Sequence, residues 1–303
     1  MKIEGDRVYF YGAHLEEAEA PFETYRKLSF DALSLVDLDL PASGKVLLKP
    51  NATVLYPADR RIATHPGFLA GILEKATEGG VGFDRMVVAD GQSGENPDQG
   101  FTWEAAGYKD MTESRGVELK CLNDTGSIPV GVPGGVVFDT YPIYREVTDC
   151  TFFFNVPLAK CHNLGCTTLS IKNLMGILAR PERHLCTIQE VDKSLEAEIW
   201  RLTDSGLSLF EDRFCHKLCD LVQAHRSLGI PRLNMVDGLI GRDGTAFNEG
   251  DNAPLGWTLL GRNEVHVDAV ATYLMGLDPK VTPYLRVASD RGLGTNQISE
   301  IEI

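Results

Sequence analysis

The chain has 303 residues, of which 43% are hydrophobic and 24% are charged. A chain of this length and composition can bury a large core, so we expect one large domain or two closely joined lobes, and disorder is not the default expectation. The formal net charge of -14 would repel phosphate backbones and anionic lipid. This charge argues against nucleic-acid binding and against contact with a membrane surface.

The N-terminal residues and the cysteines indicate the compartment. Residues 1–10 contain no apolar signal core, and the longest apolar run, near residues 151–159, is too short to span a bilayer. The seven cysteines are odd in number and are spread through a chain that is large enough not to need disulfides. We therefore expect a cytoplasmic protein with reduced thiols, and metal binding by some of these thiols is the alternative.

Short runs rich in strand-forming residues alternate with longer amphipathic stretches. This alternation predicts an α/β fold with a Rossmann-like, mostly parallel or mixed sheet, helices on both faces and a helix-rich insertion. We expect a single domain over residues 1–303, in which residues from about 167 to 230 could form a helical sub-lobe. The predicted strands are residues 7–11, 45–49, 85–89, 118–121, 136–138, 150–155, 233–236 and 257–260; the predicted helices are 15–35, 67–77, 102–108, 167–178, 188–203, 207–228 and 264–275; and 126–135 is predicted to be a loop.

Polar residues follow four of the predicted strands. Ligands of open α/β sheets bind beyond the carboxyl ends of the strands, so residues at these positions are candidates for a site. His65 precedes a predicted helix whose free N–H groups would face the same rim, although a capping or packing role is the alternative. The glycine turn that begins at Asp90 could approach a phosphate or carboxylate, or could be an ordinary turn. The residues at the strand ends are Lys49, Asn51, Asp90, Asn155, Lys160, His162 and Asp237.

A cationic segment runs from Lys160 to His184 in this otherwise acidic protein, and Glu182 is its only acidic residue. Lysine and arginine hold carboxylate or phosphate groups, and a histidine beside them can move protons near neutral pH. The alternative is a salt-bridged helix surface. We take His162, His184, Asp90 and Asp237 as catalytic candidates, and Lys49, Asn51, His65, Lys160, Thr168, Lys172, Asn173, Arg180, Arg183 and Asp268 as substrate-binding candidates. If residues 167–178 are helical, Thr168 and Lys172 share one face.

Three short groups of Cys and His residues could bind a metal, because thiolate and imidazole are ligands of zinc and of iron–sulfur clusters. The spacing gives little support, since the chain has no Cys-x-x-Cys pair and no His-Glu-x-x-His motif. Buried thiols that pack as small hydrophobic groups are the alternative. The candidate ligands of an iron–sulfur cluster or zinc are Cys161, Cys166 and Cys186.

Eight sequence segments occur in a characteristic order: VLLKPN at 46–51, THP at 64–66, VVADG at 87–91, VPLAKCHNLGCTTLSIKNLMG at 156–176, RPERH at 180–184, VDG at 236–238, VDAVATYLMGLD at 267–278 and GLG at 292–294. With these segments the chain resembles the domain-of-unknown-function family 362, whose members are often described as iron–sulfur or redox proteins. The resemblance implies a shared fold and pocket. Many relatives carry an appended segment with Cys-x-x-Cys-x-x-Cys runs, which this chain lacks, and that difference puts electron transfer through such clusters in doubt.

The middle segment, in which a histidine, a lysine-bearing helix and a second histidine follow one another, is faintly similar to the N-terminal part of lactate racemase-like proteins. This similarity implies proton or hydride movement at a 2-hydroxy-acid carbon. It would make His162 and His184 the bases, and Lys172 or Arg180 the group that holds the carboxylate.

Three functional hypotheses follow from the sequence. The leading one is an enzyme that acts on a small carboxylate- or phosphate-bearing metabolite through a pocket of Lys, Arg and His side chains. The second is an iron–sulfur or other metal-binding redox protein, and the third is a non-catalytic ligand-binding protein. The expected partner is a small anionic metabolite, and the oligomeric state is left open.

Overall fold

The computed structural model describes residues 5–13, 21–91, 96–179, 184–245 and 249–303. Its central feature is a mixed nine-stranded sheet in the spatial order β1-β11-β10-β7-β2-β3-β4, with β8 paired to β10 and β9 paired to β8. A separate hairpin is formed by β5 and β6. The strands are β1 (Val8–Gly12), β2 (Val46–Pro50), β3 (Met86–Asp90), β4 (Glu118–Cys121), β5 (Ser127–Gly131), β6 (Thr140–Tyr144), β7 (Phe152–Val156), β8 (Leu158–His162), β9 (Cys166–Thr168), β10 (Arg232–Arg242) and β11 (Asn252–Gly261).

The centre of the sheet is parallel. Strands β10, β7, β2, β3 and β4 run in the same direction, whereas β11 is antiparallel to both β10 and β1. Every residue of β2, β3 and β7 is buried, as expected for parallel strands that are covered on both faces. Their carboxyl ends therefore meet at one edge, where β2 ends at Pro50, β3 at Asp90 and β7 at Val156.

Successive side chains of each strand enter two different hydrophobic cores. Val46 and Leu48 pack on the side of α1, α2 and α3, while Leu47 between them packs on the side of α6, α7 and α8. The predicted fold class, a mostly parallel or mixed sheet with helices on both faces, is confirmed. The helices are α1 (Phe22–Ser34), α2 (Pro66–Glu78), α3 (Tyr108–Glu113), α4 (Arg145–Thr148), α5 (Ser170–Asn173), α6 (Leu209–Ser227), α7 (Glu264–Leu274) and α8 (Pro283–Asp290).

Polar side chains fix where the main helices begin. The Ser208 hydroxyl accepts a hydrogen bond from the backbone N–H of Glu211, whose carboxylate accepts one from the Ser208 N–H, and this capping box starts α6. The Asn263 side chain caps α7 by accepting from the Val265 N–H. The His65 ring starts α2 in the same way, because its Nδ1 accepts from the Gly67 N–H.

Several predicted elements are wrong. Residues 136–138 are not a strand, because the backbone N–H groups of Val136, Val137 and Phe138 donate to the Asp220 carboxylate at 2.8–3.0 Å. The predicted loop at 126–135 contains β5, and residues 102–107 form turns before α3 begins at Tyr108. Residues 190–198 of the predicted helix 188–203 form a 3₁₀ helix. The first part of the predicted helix 15–35 lies outside the described residues, and α1 begins at Phe22.

The predicted helix at 167–178 is three different structures. Strand β9 ends at Thr168, α5 is a single turn, and a 3₁₀ helix follows at Leu174–Ile177. Thr168 and Lys172 therefore do not share a helix face, and Thr168 instead lies opposite Lys160 in the β8–β9 ladder. None of the helices in the described part of the chain is long and apolar enough to cross a membrane.

Candidate functional site

A buried ion pair lies where the carboxyl ends of β2 and β3 meet. The Lys49 Nζ is 2.7 Å from Oδ1 of Asp90, and neither side chain is more than 1% exposed. The second oxygen of Asp90 accepts a hydrogen bond of 2.7 Å from the Ala52 N–H. Because a buried charge is tolerated only when it is paired and hydrogen-bonded, each partner stabilises the other.

Four asparagine side chains form a continuous hydrogen-bonded chain beside this pair. Asn51 donates to Asn173, Asn173 donates to Asn155 at 2.8 Å, and Asn155 donates to Asn234 at 2.8 Å. Lys49 joins the chain by donating from Nζ to Asn173 Oδ1 at 3.1 Å. Asn51 is half-buried and the other three asparagines are buried, so the chain runs from the edge of the site into the protein.

Lys160, Lys172 and the neutral His162 form a group, named the cationic group for its two lysines, and Lys160 lies close enough to Asp90 of the ion pair to interact with it electrostatically. Lys160 is 2% exposed, and its Nζ donates to the carbonyl of Ile62 at 2.7 Å. Burial, together with the nearby charges of Lys172 and Arg242, lowers the pKa of Lys160 to about 7. This amine therefore changes its protonation state close to neutral pH.

Lys172 is half-buried, and its ammonium forms no hydrogen bond or ion pair with any described residue. Burial lowers its pKa. The Cys186 thiol, Lys160 and His162 are close enough to Lys172 to interact with it electrostatically.

The His162 ring is held in one tautomer. Its Nδ1 accepts hydrogen bonds of 3.1 Å from the backbone N–H groups of Leu164 and Gly165. Burial, together with the charges of Lys172 and Lys160, lowers the pKa of His162 to about 3. The ring is therefore neutral at pH 7, and because Nδ1 is an acceptor the hydrogen must be on Nε2, which is a donor.

A model of the family called domain of unknown function, DUF362, matches residues 46–273. The chain belongs to the DUF362 family. The matched range contains the ion pair, the asparagine chain and the cationic group, so all three lie within the family domain. No curated protein matches the chain.

Two solved structures are similar to this DUF362 chain. One is the lactate racemase apoprotein from Thermoanaerobacterium thermosaccharolyticum, with 13% identity, a TM-score of 0.42, and coverage of 70% of this chain and 48% of that one. The other is a structural-genomics protein from Thermotoga maritima, with 12% identity, a TM-score of 0.45, and coverage of 88% and 61%. The chain thus spans about half to three fifths of the length of these structures.

The structure places His65 and Asp237 together on the side of α1 and α2. The Asp237 Oδ2 accepts a hydrogen bond of 2.9 Å from the His65 N–H, and burial raises the pKa of Asp237 to about 7. The His65 ring stacks on Tyr25 at 3.8 Å between centroids, and burial lowers its pKa to about 3. The His65 ring thus caps α2 and packs on Tyr25, and its role in ligand binding stays a prediction.

Asp268 positions α5, the helical turn that carries Lys172 and Asn173. Its two carboxylate oxygens accept hydrogen bonds from the N–H groups of Ser170 at 2.7 Å and Ile171 at 2.9 Å. Burial raises the pKa of Asp268 to about 7. This carboxylate therefore acts on the site through the backbone of α5.

The remaining predicted residues lie apart or outside the described ranges. His184 is exposed and lines a surface cavity of about 510 Å³ with Phe138 and Ile188, and the described lining of this cavity includes neither Lys49 nor Asp90. Arg180 and Arg183 lie outside the described residues.

The three candidate metal-ligand cysteines differ in their surroundings. Cys161 faces the opposite side of β8 from Lys160 and His162, because side chains alternate along a strand. Cys186 lies near Lys172, and Cys166 is exposed with a positive φ of 63°. Among the residues that the structure describes, no group of three or more His, Cys, Asp or Glu side chains is arranged to hold a metal ion.

Two residues that shape the site were not predicted from the sequence. Thr64 fixes the end of β2, because its hydroxyl accepts from the Asn51 N–H at 2.8 Å and donates to the Val156 carbonyl at 2.6 Å. Gly176 packs directly on the ion pair, where a Cβ atom would lie 2.1 Å from Asp90 Oδ1. The position of each in a short motif, THP and KNLMG, was the available signal.

Proposed function

We propose that this chain is an enzyme that acts on a small metabolite with a carboxylate or phosphate group. The anion would bind to the cationic group formed by Lys160, His162 and Lys172, and the reaction would move a proton. The observation that carries the proposal is Lys172, a half-buried ammonium that has no counterion among the described residues.

An uncompensated ammonium in a partly desolvated position is costly unless an anion joins it. The chain carries 43 acidic residues against 29 Lys and Arg residues, so carboxylates are plentiful, yet no described one pairs with Lys172. The alternative of a salt-bridged helix surface would give this lysine a carboxylate partner. The absence of such a partner supports a ligand anion in its place.

The two neighbours of Lys172 suit the proposed chemistry. The Nε2–H of neutral His162 can donate a hydrogen bond to an anionic oxygen. Lys160, with a pKa of about 7, can accept or release a proton near neutral pH, as a general acid or base must. The structure thus favours Lys160 over His162 as the group that moves the proton, since the Nδ1 of His162 is already occupied by two backbone donors.

Anion binding tests the first part of the proposal. Calorimetric titration with inorganic phosphate and with a panel of small carboxylates is compared between the wild type and Lys172→Met. A hydrogen bond to a charged group contributes about 1.5–3 kcal/mol, so we expect the variant to bind at least about tenfold more weakly. Lys109→Met, which replaces an exposed lysine on α3, is the matched control and should bind like the wild type. Equal binding of every anion by the wild type and Lys172→Met would refute the assignment.

Proton transfer tests the second part. The protein is incubated with the same carboxylates in D₂O, and loss of the C–H signal next to the carboxylate is followed by proton NMR. We expect exchange with at least one carboxylate in the wild type, and none above background with Lys160→Met or Lys172→Met. Exchange that persists in Lys160→Met would exclude Lys160 as the proton carrier.

A further inference from the structure

The asparagine chain has a fixed direction. An amide side chain has a donor end and an acceptor end, and these ends can be told apart only by their hydrogen-bond partners. Asn234 donates from Nδ2 to the carbonyls of Gly261 and Arg262, which can only accept. Its Oδ1 therefore faces Asn155, which must donate to it, and Asn155 Nδ2 also donates to the carbonyl of Ser170 at 2.9 Å.

The other end of the chain is fixed independently by Lys49. An ammonium can only donate, and Lys49 Nζ contacts the Asn173 oxygen at 3.1 Å, so this atom must be the acceptor end of the amide. Asn173 Nδ2 in turn donates to Asn155 and to the carbonyl of Lys49. The orientation of Asn173 thus follows from partners on both sides, and no amide in the chain can flip without facing a like group.

Asn51 takes its orientation from Asn173. Because Asn173 Oδ1 is an acceptor, Asn51 must present Nδ2 to it, and the contact is 3.3 Å. The Asn51 backbone is also held, since its N–H donates to Thr64 and its carbonyl accepts from the Thr64 N–H at 3.0 Å. The Oδ1 of half-buried Asn51 accepts no hydrogen bond from a described residue. An acceptor oxygen is therefore held open next to Asn173. Asn51 also borders the cationic group, because it is bonded to Thr64 while Lys160 is bonded to the carbonyl of Ile62, two residues earlier.

We infer that Asn51 is a specificity-determining residue that selects ligands with an O–H or N–H donor beside their anionic group. This inference rests on the proposed function, because Lys172 must bind the anion for Asn51 to meet the neighbouring atom. A ligand that presents only acceptors would place a lone pair against the Asn51 oxygen and leave that oxygen unsatisfied. Asn234, Asn155 and Asn173 are positioning residues that keep the nitrogen of the Asn51 amide, and not its oxygen, against Asn173.

The test uses two pairs of probes that differ in one donor. Inorganic phosphate at pH 7 carries an O–H group and sulfate does not, and glycolate carries a hydroxyl that fluorine replaces in fluoroacetate. By calorimetric titration we expect the wild type to bind the donor-bearing member of each pair about tenfold more tightly or better. Charge alone would not favour phosphate, because sulfate is at least as highly charged at this pH.

Two variants separate donor selection from anion binding. In Asn51→Ala, binding of phosphate and glycolate should fall to the level of sulfate and fluoroacetate, whose binding should stay unchanged. Lys172→Met should weaken both members of each pair equally and keep the preference. Asn51→Ser is the second variant, for use if the alanine variant does not fold. It keeps a donor for Asn173 but removes the amide carbonyl oxygen, so it should also lose the preference for donor-bearing probes.

The outcomes also distinguish this inference from the proposed function. Two results would overturn the role of Asn51 and leave the anion site standing. In the first, the wild type binds all four probes without preference. In the second, Asn51→Ala binds every probe more weakly by the same factor. A wild type that binds none of the four probes would overturn both.

Discussion

Replacement of Gly176 by alanine would force a methyl group into the buried ion pair of the site. A Cβ atom there would lie 2.1 Å from Asp90 Oδ1 and 2.7 Å from Lys49 Nζ, and nothing in the glycine's own backbone, whose φ is not positive, opposes an alanine. Overpacking costs about 1–3 kcal/mol, and breaking a buried ion pair costs about 3–5 kcal/mol. We therefore expect Gly176→Ala to lower the free energy of unfolding by about 3 kcal/mol.

Thermal unfolding measures this effect, and at the scale known for domains of comparable size we expect Tm to fall by about 5–10 °C. Gly131→Ala is the matched control, because no atom lies within 4 Å of its Cβ position, and its Tm should stay close to that of the wild type. The cost of Gly176→Ala should also shrink in a background of Lys49→Met with Asp90→Asn, where the charged pair is already absent. A Gly176→Ala protein as stable as the wild type would refute the contact between Gly176 and the ion pair.

Two further predictions concern buried groups outside the site. Both ring nitrogens of buried His225 lack a hydrogen-bond partner in the described structure, and burial lowers its pKa to about 4, so protonation favours the unfolded state below pH 6.5. By urea unfolding, we expect His225→Leu to be at least as stable as the wild type at pH 8. Between pH 6.5 and 4 the variant should gain stability relative to the wild type by up to about 1.4 kcal/mol per pH unit. A stability difference that stays constant across this range would contradict a neutral His225. Asp192 pairs with Arg213 and with Lys217, whose side chain is 1% exposed. Asp192→Ala should therefore lower the free energy of unfolding by about 3–5 kcal/mol in the same assay. A decrease of less than about 1 kcal/mol would show that Lys217 finds another partner.

The sequence predicted the strand ends of the site because parallel strands give a strong signal. Val46 to Leu48 and Met86 to Ala89 are continuous apolar runs, and the polar residues Lys49 and Asp90 end them abruptly. Since parallel strands end at the same edge of the sheet, residues far apart in the chain were expected to meet, and the structure brings Lys49 and Asp90 within 2.7 Å.

The hairpins were missed because their sequences contradict strand propensity. Pro129 and Pro142 face each other in the β5–β6 pair, and proline, which lacks a backbone donor, argues against a strand. Strand β9 has three residues and begins at Cys166, whose φ of 63° is rare for a residue with a side chain. Tertiary contacts, which no short sequence pattern encodes, decide both structures.

The orientation of the asparagine chain also lay beyond sequence reasoning. Asn234 is the single polar residue in the run Leu233 to Val236 of β10, and the sequence shows only that this buried amide must find hydrogen-bond partners. Its partners are the Asn155 side chain of β7 and the carbonyls of Gly261, at the end of β11, and of Arg262 just after it, and only the fold brings these groups together. Residue types predicted a polar site, but the direction in which each amide points depends on backbone carbonyls.

The three lysines expected to hold an anion have different tasks in the structure. Lys49 is compensated by Asp90 and uses its remaining hydrogen bonds on Asn173 and the Pro50 carbonyl, so its charge orders the site and attracts a ligand only weakly. Lys160 is bonded to the Ile62 carbonyl and has a pKa near neutrality, which suits it to proton movement. Lys172 alone among these three has no bond to a described residue. Because the charge that orders the fold and the charge that we propose to bind the ligand belong to different side chains, we expect a substitution at Lys172 to change binding without disturbing the ion pair.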